Sequence, residues 1–337
     1  MNRFLVLLGV WCLVSCGENT SSLVRNESSG NALGTTYHLT YLSKKKLDFK
    51  QQVDSIFGVI NHSLSTYIPD SDISKINQGD STIVVDAMFK DVFELSQEVY
   101  ETTNGYFDPT VGTLVNAWGF GPGKEIKMDS IRVDSLLQYV GFNKVKLTEE
   151  NTIEKSNPNI YFDFNAIAKG YSIDRIAKLM DANGIENYLL EVGGEIVAKG
   201  QNEIKQKPWI VGIDDPTVEN ARKLKATIHL KDRALASSGN YRHFRKDPVT
   251  GIRYVHTIDP ITGFTKNGKT LASNVLADNC GKADAFATAF MAMDLEEVRK
   301  LVSLNPELDV YLIFLDEKGK LREFMSPGFK ALIETDN

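Results

Sequence analysis

The apolar positions along the chain change period several times, and each change predicts an element. Alternation from residue 37 to 42 marks a half-buried strand. From 47 to 64, Leu47, Val53, Ile56, Ile60 and Leu64 fall at helical spacing. Ser65-Thr66-Tyr67-Ile68-Pro69 breaks that helix, and Ser71 caps a short one ending near Asn77. Asp86 caps a longer helix with an apolar face of Phe89, Val92, Leu95 and Val99, stopped by Asn104-Gly105. Residues 129–140 predict another amphipathic helix, closed by Gly141, with strands at 144–148 and 151–155 behind it.

The second half is richer in strands. Residues 160–164 read as a strand passing into a helix that runs to about 182. The strand 187–192 is turned into the next by Gly193-Gly194, and further strands follow at about 208–214, 223–230, 233–237 and 270–276. Residues 237–241 read as a polar turn. A small-residue helix covers 283–288, and two helical segments and a terminal strand pair (308–315, 319–325) complete the pattern. Together these predict a mixed α/β (α+β) domain with largely antiparallel sheets, flanking helices and two lobes around a cleft.

The N-terminus follows another logic. Arg3 and the apolar stretch 4–14, too short to span a bilayer, end in Leu13-Val14-Ser15-Cys16, which resembles a bacterial lipobox. The expected organisation is a signal peptide at 1–15, a flexible tether at 16–31 after a lipidated Cys16, and one domain at 32–337, with order beginning at Leu33. Acyl chains such as palmitate on Cys16 would hold the protein at a bacterial membrane facing the periplasm. Cys12 would leave with the signal, so Cys280 stands without a disulfide partner.

Composition narrows the function. The 337 residues are 42% hydrophobic and 24% charged, an ordinary globular balance, and a net charge of −6 gives no footprint for nucleic acid. Chemistry concentrates in a few stretches. On a helix, Asp284 and Thr288 project from one face, and this oxygen-only pair suits a hard cation such as Mg2+. A strand end at Asp163 followed by a small-residue helix start with Lys169 can cradle phosphate. The span 105–121 combines glycines, Pro109 and aromatics, which fits either close approach to a flat ligand or a turn with core anchors. His256 lies in a polar, turn-rich context three residues before Asp259, a candidate for acid–base work or phosphate contact.

These stretches jointly resemble the ApbE-type family of FAD:protein FMN transferases. The matches run in order: Gly34-Thr35-Thr36-Tyr37; Ser65-Thr66-Tyr67 with Ser71 and Asn77; Gly105-x-Phe107-Asp108-Pro109-Thr110-Val111-Gly112 with Trp118-Gly119-Phe120-Gly121; Asp163 to Gly170-Tyr171 with Asp174; Glu191-x-Gly193-Gly194-Glu195; Ser238-Gly239-x-Tyr241; His256-x-x-Asp259-Pro260-x-Thr262-Gly263; and Ala283-Asp284-Ala285-x-Ala287-Thr288. The resemblance implies a Mg2+-dependent enzyme that takes FAD as substrate, moves its FMN half onto a threonine of an acceptor protein and releases AMP. The acceptor would be a subunit of a membrane redox complex, and the nucleotide would lie in the cleft. It further implies metal ligation by Asp284, Thr288 and the carbonyls near Ala168 and Gly281. Flavin or nucleotide contact falls to Leu33, Tyr67, Tyr106, Phe107, Asp108, Asp163, Ala166, Lys169, Ser172, His256 and Thr257. Two departures stand out: Leu33 where the family often has Met, and Asn240 where Asp is frequent. The group that deprotonates the acceptor stays open between Asp284 and His256. FAD pyrophosphatase activity, or flavin binding without turnover, are the alternative functions.

Overall fold

The computed structural model describes residues 23–218, 223–240, 244–246, 253–266 and 269–334. Its strands are β1 Val24–Ala32, β2 Thr35–Ser43, β3 Val145–Leu147, β4 Ile153–Lys155, β5 Asn187–Val192, β6 Glu195–Lys199, β7 Trp209–Asp214, β8 Leu224–Leu230, β9 Arg233–Gly239, β10 Phe244–Lys246, β11 Arg253–Val255, β12 Thr270–Ala277, β13 Asp309–Leu315 and β14 Leu321–Met325. Its helices are α1 Lys50–Leu64, α2 Asp72–Asn77, α3 Ala87–Thr102, α4 Gly112–Ala117, α5 Ser130–Leu137, α6 Ala168–Ala182, α7 Cys280–Ala292, α8 Leu295–Leu304 and α9 Pro327–Ala331.

Eight strands form one sheet in the order β1-β2-β5-β6-β9-β12-β13-β14, and every neighbouring pair is antiparallel. Alternation along each strand sends side chains to two cores. Val310 and Leu312 of β13 join the core under α3, α7 and α8, while Tyr311 and Ile313 face the layer made by β7, β8 and α9. Tyr188, Leu190 and Val192 of β5 pack with α1 and α6. Helix α7 runs through the middle, with nearly every residue from Cys280 to Ala292 buried. A helix apolar on all sides must be enclosed on all sides, and α7 lies against β9, β12, α6 and α3.

The expected mixed α/β, antiparallel architecture is what the chain adopts. Ser71 and Asp86 cap their helices by accepting the Ser74 and Phe89 N–H groups. Three expectations need correction. Residues 24–32, of which 24–31 were expected in a flexible tether, form β1 instead. Composition conceals this strand, since its inward positions include Asn26 and Ser28, which bond Ser43 and the Tyr37 hydroxyl instead of burying hydrocarbon. Leu33 and Gly34 are then a hairpin turn, both at positive φ (46° and 78°), not the onset of order. Residues 160–164 belong to no sheet and make only a Val111–Tyr161 bridge; the segment is extended because the Asn77 carboxamide bonds both the N–H and C=O of Phe162. Ser238 and Gly239, expected in a polar turn, continue β9 beyond the predicted strand end at 237, paired to β12. The signal stretch and Cys16 lie outside the described residues. Among the described residues no helix is long and apolar enough to cross a membrane.

Candidate active site

Three elements converge on one corner: the N-terminus of α6, the start of β6 and the first turns of α7. Their approach depends on Gly170. A Cβ there would lie 2.2 Å from the Cys280 carbonyl oxygen and 2.8 Å from the Gly281 nitrogen, so α6 and α7 cross in backbone contact. The crossing lets the Gly170 N–H donate to Asp284 Oδ2 at 3.1 Å. Asp284 is 2% exposed, and a carboxylate so buried needs such partners. Lys169, next to Gly170, sets its ammonium 2.9 Å from Glu195 Oε1 and 3.6 Å from Asp284 Oδ2. Burial works against the lysine's charge, yet Asp284 and Glu195 hold its pKa above the ordinary value. Burial pushes Glu195 up to about 7 despite the ammonium. Its Oε2 is buried with no hydrogen-bond partner.

The tight two-residue turn explains how Glu195 arrives there. Gly193 and Gly194 take φ of 61° and 106°, closing the β5–β6 hairpin so that Glu195 opens β6 against α6. The N-terminus of α7 is already satisfied: Asp174 of α6 accepts the N–H groups of Cys280 and Gly281, and Asn279 accepts that of Lys282. Phosphate therefore finds no donor on α7. Helix α6 has no side-chain cap at Ile167, but the Phe164 carbonyl accepts the Ile167 and Ala168 N–H groups and Asp284 accepts that of Gly170, so the phosphate-binding charge at its start is the Lys169 ammonium.

The expected metal donors share this corner. Asp284 and Thr288 lie one turn apart on α7, Thr288 Oγ1 stands 3.3 Å from Ser238 Oγ, the Gly170 contact brings α6 against the main chain of Cys280 and Gly281, and Ala168 opens α6 two residues before Gly170. The set is carboxylate, hydroxyl and carbonyl, which suits a hard divalent cation. The ammonium drawn to Asp284 shows that the carboxylate attracts positive charge where such an ion would bind. With one carboxylate, the set is no cluster of acidic or imidazole ligands, and among the described residues no group of three or more His, Cys, Asp or Glu side chains converges on a metal-sized space.

The remaining predicted residues divide. Tyr67 is 60% exposed; partial shielding of its hydroxyl raises its pKa, and the negative charge of Asp163 raises it further. Asp163 accepts the Asn165 N–H, and burial raises its pKa. Ala166 lies in the turn before α6, and Leu33 at the β1–β2 tip packs against the two helix-side cores. Tyr106 is half-buried; burial raises its phenol's pKa, and Glu297, to which it is hydrogen-bonded, raises it further. His256 is half-buried after β11, and Thr257 donates to the buried Asn240.

Three of the predicted residues have side chains tied into the fold. Phe107 is 3% exposed in the core under α3. Asp108 spends both oxygens on Thr110 and on the Phe142 N–H, and burial pushes its carboxyl up to about 6. Ser172 is fully buried and donates to the Lys169 carbonyl inside α6. Trp118, bonded through Nε1 to the Gly263 carbonyl, is likewise a core anchor. The span 105–121 thus carries core anchors, with Tyr106 and Phe120 as its half-buried aromatic members. Glu195, Asp174 and Ser238 stand in the matched motifs without an assigned role. An acidic residue directly after a diglycine turn is the available sequence signal for Glu195.

The chain matches the ApbE family model over residues 33–312. It is 34% identical over 344 residues to an FAD:protein FMN transferase of Vibrio cholerae, covering 99% of each chain. It is 33% identical to one of Haemophilus influenzae, covering 96% of this chain and 95% of that one. The solved flavin transferase ApbE from Vibrio cholerae superimposes with a TM-score of 0.82 at 32% identity, over 92% of this chain and 100% of that one. The apo flavinyl transferase ApbE of Pseudomonas stutzeri gives 0.80 at 25% identity, over 94% and 98%.

Proposed function

The chain belongs to the ApbE family and is a flavinyltransferase; from that premise we propose that it transfers the FMN half of FAD to a threonine hydroxyl of an acceptor protein, releases AMP and uses Mg2+. The observation that carries this reading is the convergence of Lys169, Glu195 and Asp284 through the Gly170 contact. It offers one ammonium for a diphosphate and one oxygen-rich corner beside it.

In the reaction, the threonine oxygen forms a bond to the FMN phosphorus while the phosphoanhydride bond to AMP breaks and AMP departs with the electron pair. The barrier lies in bringing two anionic groups together, so positioning and charge dominate. Lys169 supplies a fixed positive charge for the phosphates, held in place by Glu195. His256 takes the threonine proton, since Asp284 already accepts from Gly170 and faces Lys169. Asp284, Thr288 and the carbonyls of Ala168 and Gly281 would hold the magnesium, which would supply neutralisation of phosphate charge there. Tyr67 and Asp163 form one wall for the nucleotide or flavin. Cys16 carries the lipid that keeps the enzyme on the periplasmic side, near acceptor subunits of membrane redox complexes.

The test is incubation of purified protein with FAD, Mg2+ and an acceptor carrying a threonine. Flavin that stays on the acceptor after denaturation, with AMP released in equal amount, is the expected result. Free FMN with AMP would make the enzyme a pyrophosphatase, and unchanged FAD would make it a binding protein.

A further inference from the structure

The strand-like segment that ends at Asp163 is held in an unusual way. It belongs to no sheet, so its main-chain groups need partners from elsewhere. Thr113 donates to the Asn159 carbonyl, Asn77 bonds the N–H and C=O of Phe162, and the Asp163 N–H donates to Pro109. The most concentrated support is Lys155 at the end of β4. Its ammonium donates to three main-chain carbonyls, those of Ile76 at 2.9 Å, Pro158 at 3.0 Å and Ile160 at 3.0 Å. An ammonium has three donors, and these carbonyls use all of them. Burial lowers the Lys155 pKa. The cage opens on a groove of about 540 Å³ also lined by Ile76, Lys144, Ser156 and Pro158.

We infer that Lys155 is a positioning residue for the flavin site: a tethered monovalent cation that ties the end of α2 to residues 158–162, whose cage will take free ammonium or potassium once the side chain is cut back. Carbonyl oxygens around a single positive head group are the chemistry of a monovalent site. One of the three carbonyls is that of Ile76, next to Asn77, so both clamps draw on the same helix end. Together they fix Tyr161 and Asp163 against Gly112, where a Cβ would lie 2.7 Å from Tyr161 and 3.2 Å from the Asp163 Cβ, and the charge of Asp163 reaches the Tyr67 hydroxyl. The link to flavin rests on the function proposed above; the cage does not.

The experiment compares the full chain with Lys155→Ala and Lys155→Met at constant ionic strength in tetramethylammonium, potassium or ammonium chloride. Thermal midpoints are read without flavin, and FAD KM and kcat are read separately. Lys155→Ala should melt lower than wild type in tetramethylammonium and recover most of the loss in ammonium, by linkage to a bound ion. Its FAD KM should be raised about tenfold in tetramethylammonium and fall back with ammonium, with kcat little changed, as expected when positioning of a bound substrate is at stake. Lys155→Met, whose methyl end occupies part of the cage, should lose stability without an ammonium response. Equal rescue by all three salts, or a wild-type midpoint for Lys155→Ala in tetramethylammonium, would overturn the cage. Recovery of the midpoint with no change in KM would overturn the positioning role. Absence of any FAD turnover in wild type would instead strike the proposed function, leaving the melting result to judge the cage.

Discussion

Adding one methyl group at Gly170 should disable the active corner without unfolding the protein. A Cβ at this position would sit 2.2 Å from the Cys280 carbonyl oxygen, against the 3.4 Å at which ordinary contact begins, so α6 and α7 must part by about 1.2 Å. The obstacle is backbone, which cannot rotate away as a side chain would. Overpacking of this kind costs about 1–3 kcal/mol, and loss of the Gly170 N–H bond to the buried Asp284 adds about 1.5–3 kcal/mol. Alanine returns about 1 kcal/mol through its better helix propensity. The net loss is about 1.5–5 kcal/mol, which does not exceed the total of about 5–15 kcal/mol that holds an ordinary domain folded. The shift carries Lys169 away from Asp284, and a misplacement of about 1 Å typically lowers turnover about 100-fold. Urea unfolding should show a lower midpoint at unchanged slope, and a flavin-transfer assay should show the loss of rate. Gly58→Ala is the matched control: Gly58 lies inside α1 with nothing within 4 Å of its Cβ position, so the same change should stabilise by about 0.4–1 kcal/mol. If Gly170→Ala unfolds and turns over like wild type, the helix contact does not set the site.

Asp284→Ala should abolish Mg2+-dependent transfer and reduce Mg2+ binding measured by calorimetry, while costing about 1–3 kcal/mol because the Gly170 N–H is left buried and unpaired; wild-type turnover would remove Asp284 from the metal site. His256→Ala should slow transfer about 100-fold or more with FAD still bound, as expected for loss of a general base, and loss of FAD binding would make its role that of scaffold. Asp108 yields a pH prediction. Its carboxyl is raised to about 6 in the fold against an ordinary 3.8, so its favourable contribution is complete below about pH 4 and is lost as pH rises through about 6, at most about 3 kcal/mol. Asp108→Asn should therefore flatten urea stability across that window, and an unchanged slope with pH would show that the carboxyl is not perturbed.

Local signals were strong enough to place most elements. The helical spacing of Leu47 to Leu64, the caps at Ser71 and Asp86 and the diglycine between β5 and β6 each act within a few residues, so the chain states them openly. The order of eight motifs carried the family, and α7 was visible as a run of small residues around Asp284. What stayed hidden depended on partners far along the chain. β1 looks like a tether because hydrogen bonds to Ser43 and Tyr37 do the work that apolar side chains do elsewhere. Phe107 and Asp108 carry the composition of a ligand loop, yet burial decided that one fills the core and the other staples Thr110 to Phe142. The meeting of Lys169, Glu195 and Asp284 was equally invisible, because it requires two helices to touch at a glycine and a hairpin to deliver the second carboxylate. Periodicity reports which face of an element is apolar; only packing decides what that face meets, and whether a buried charge finds its counterpart.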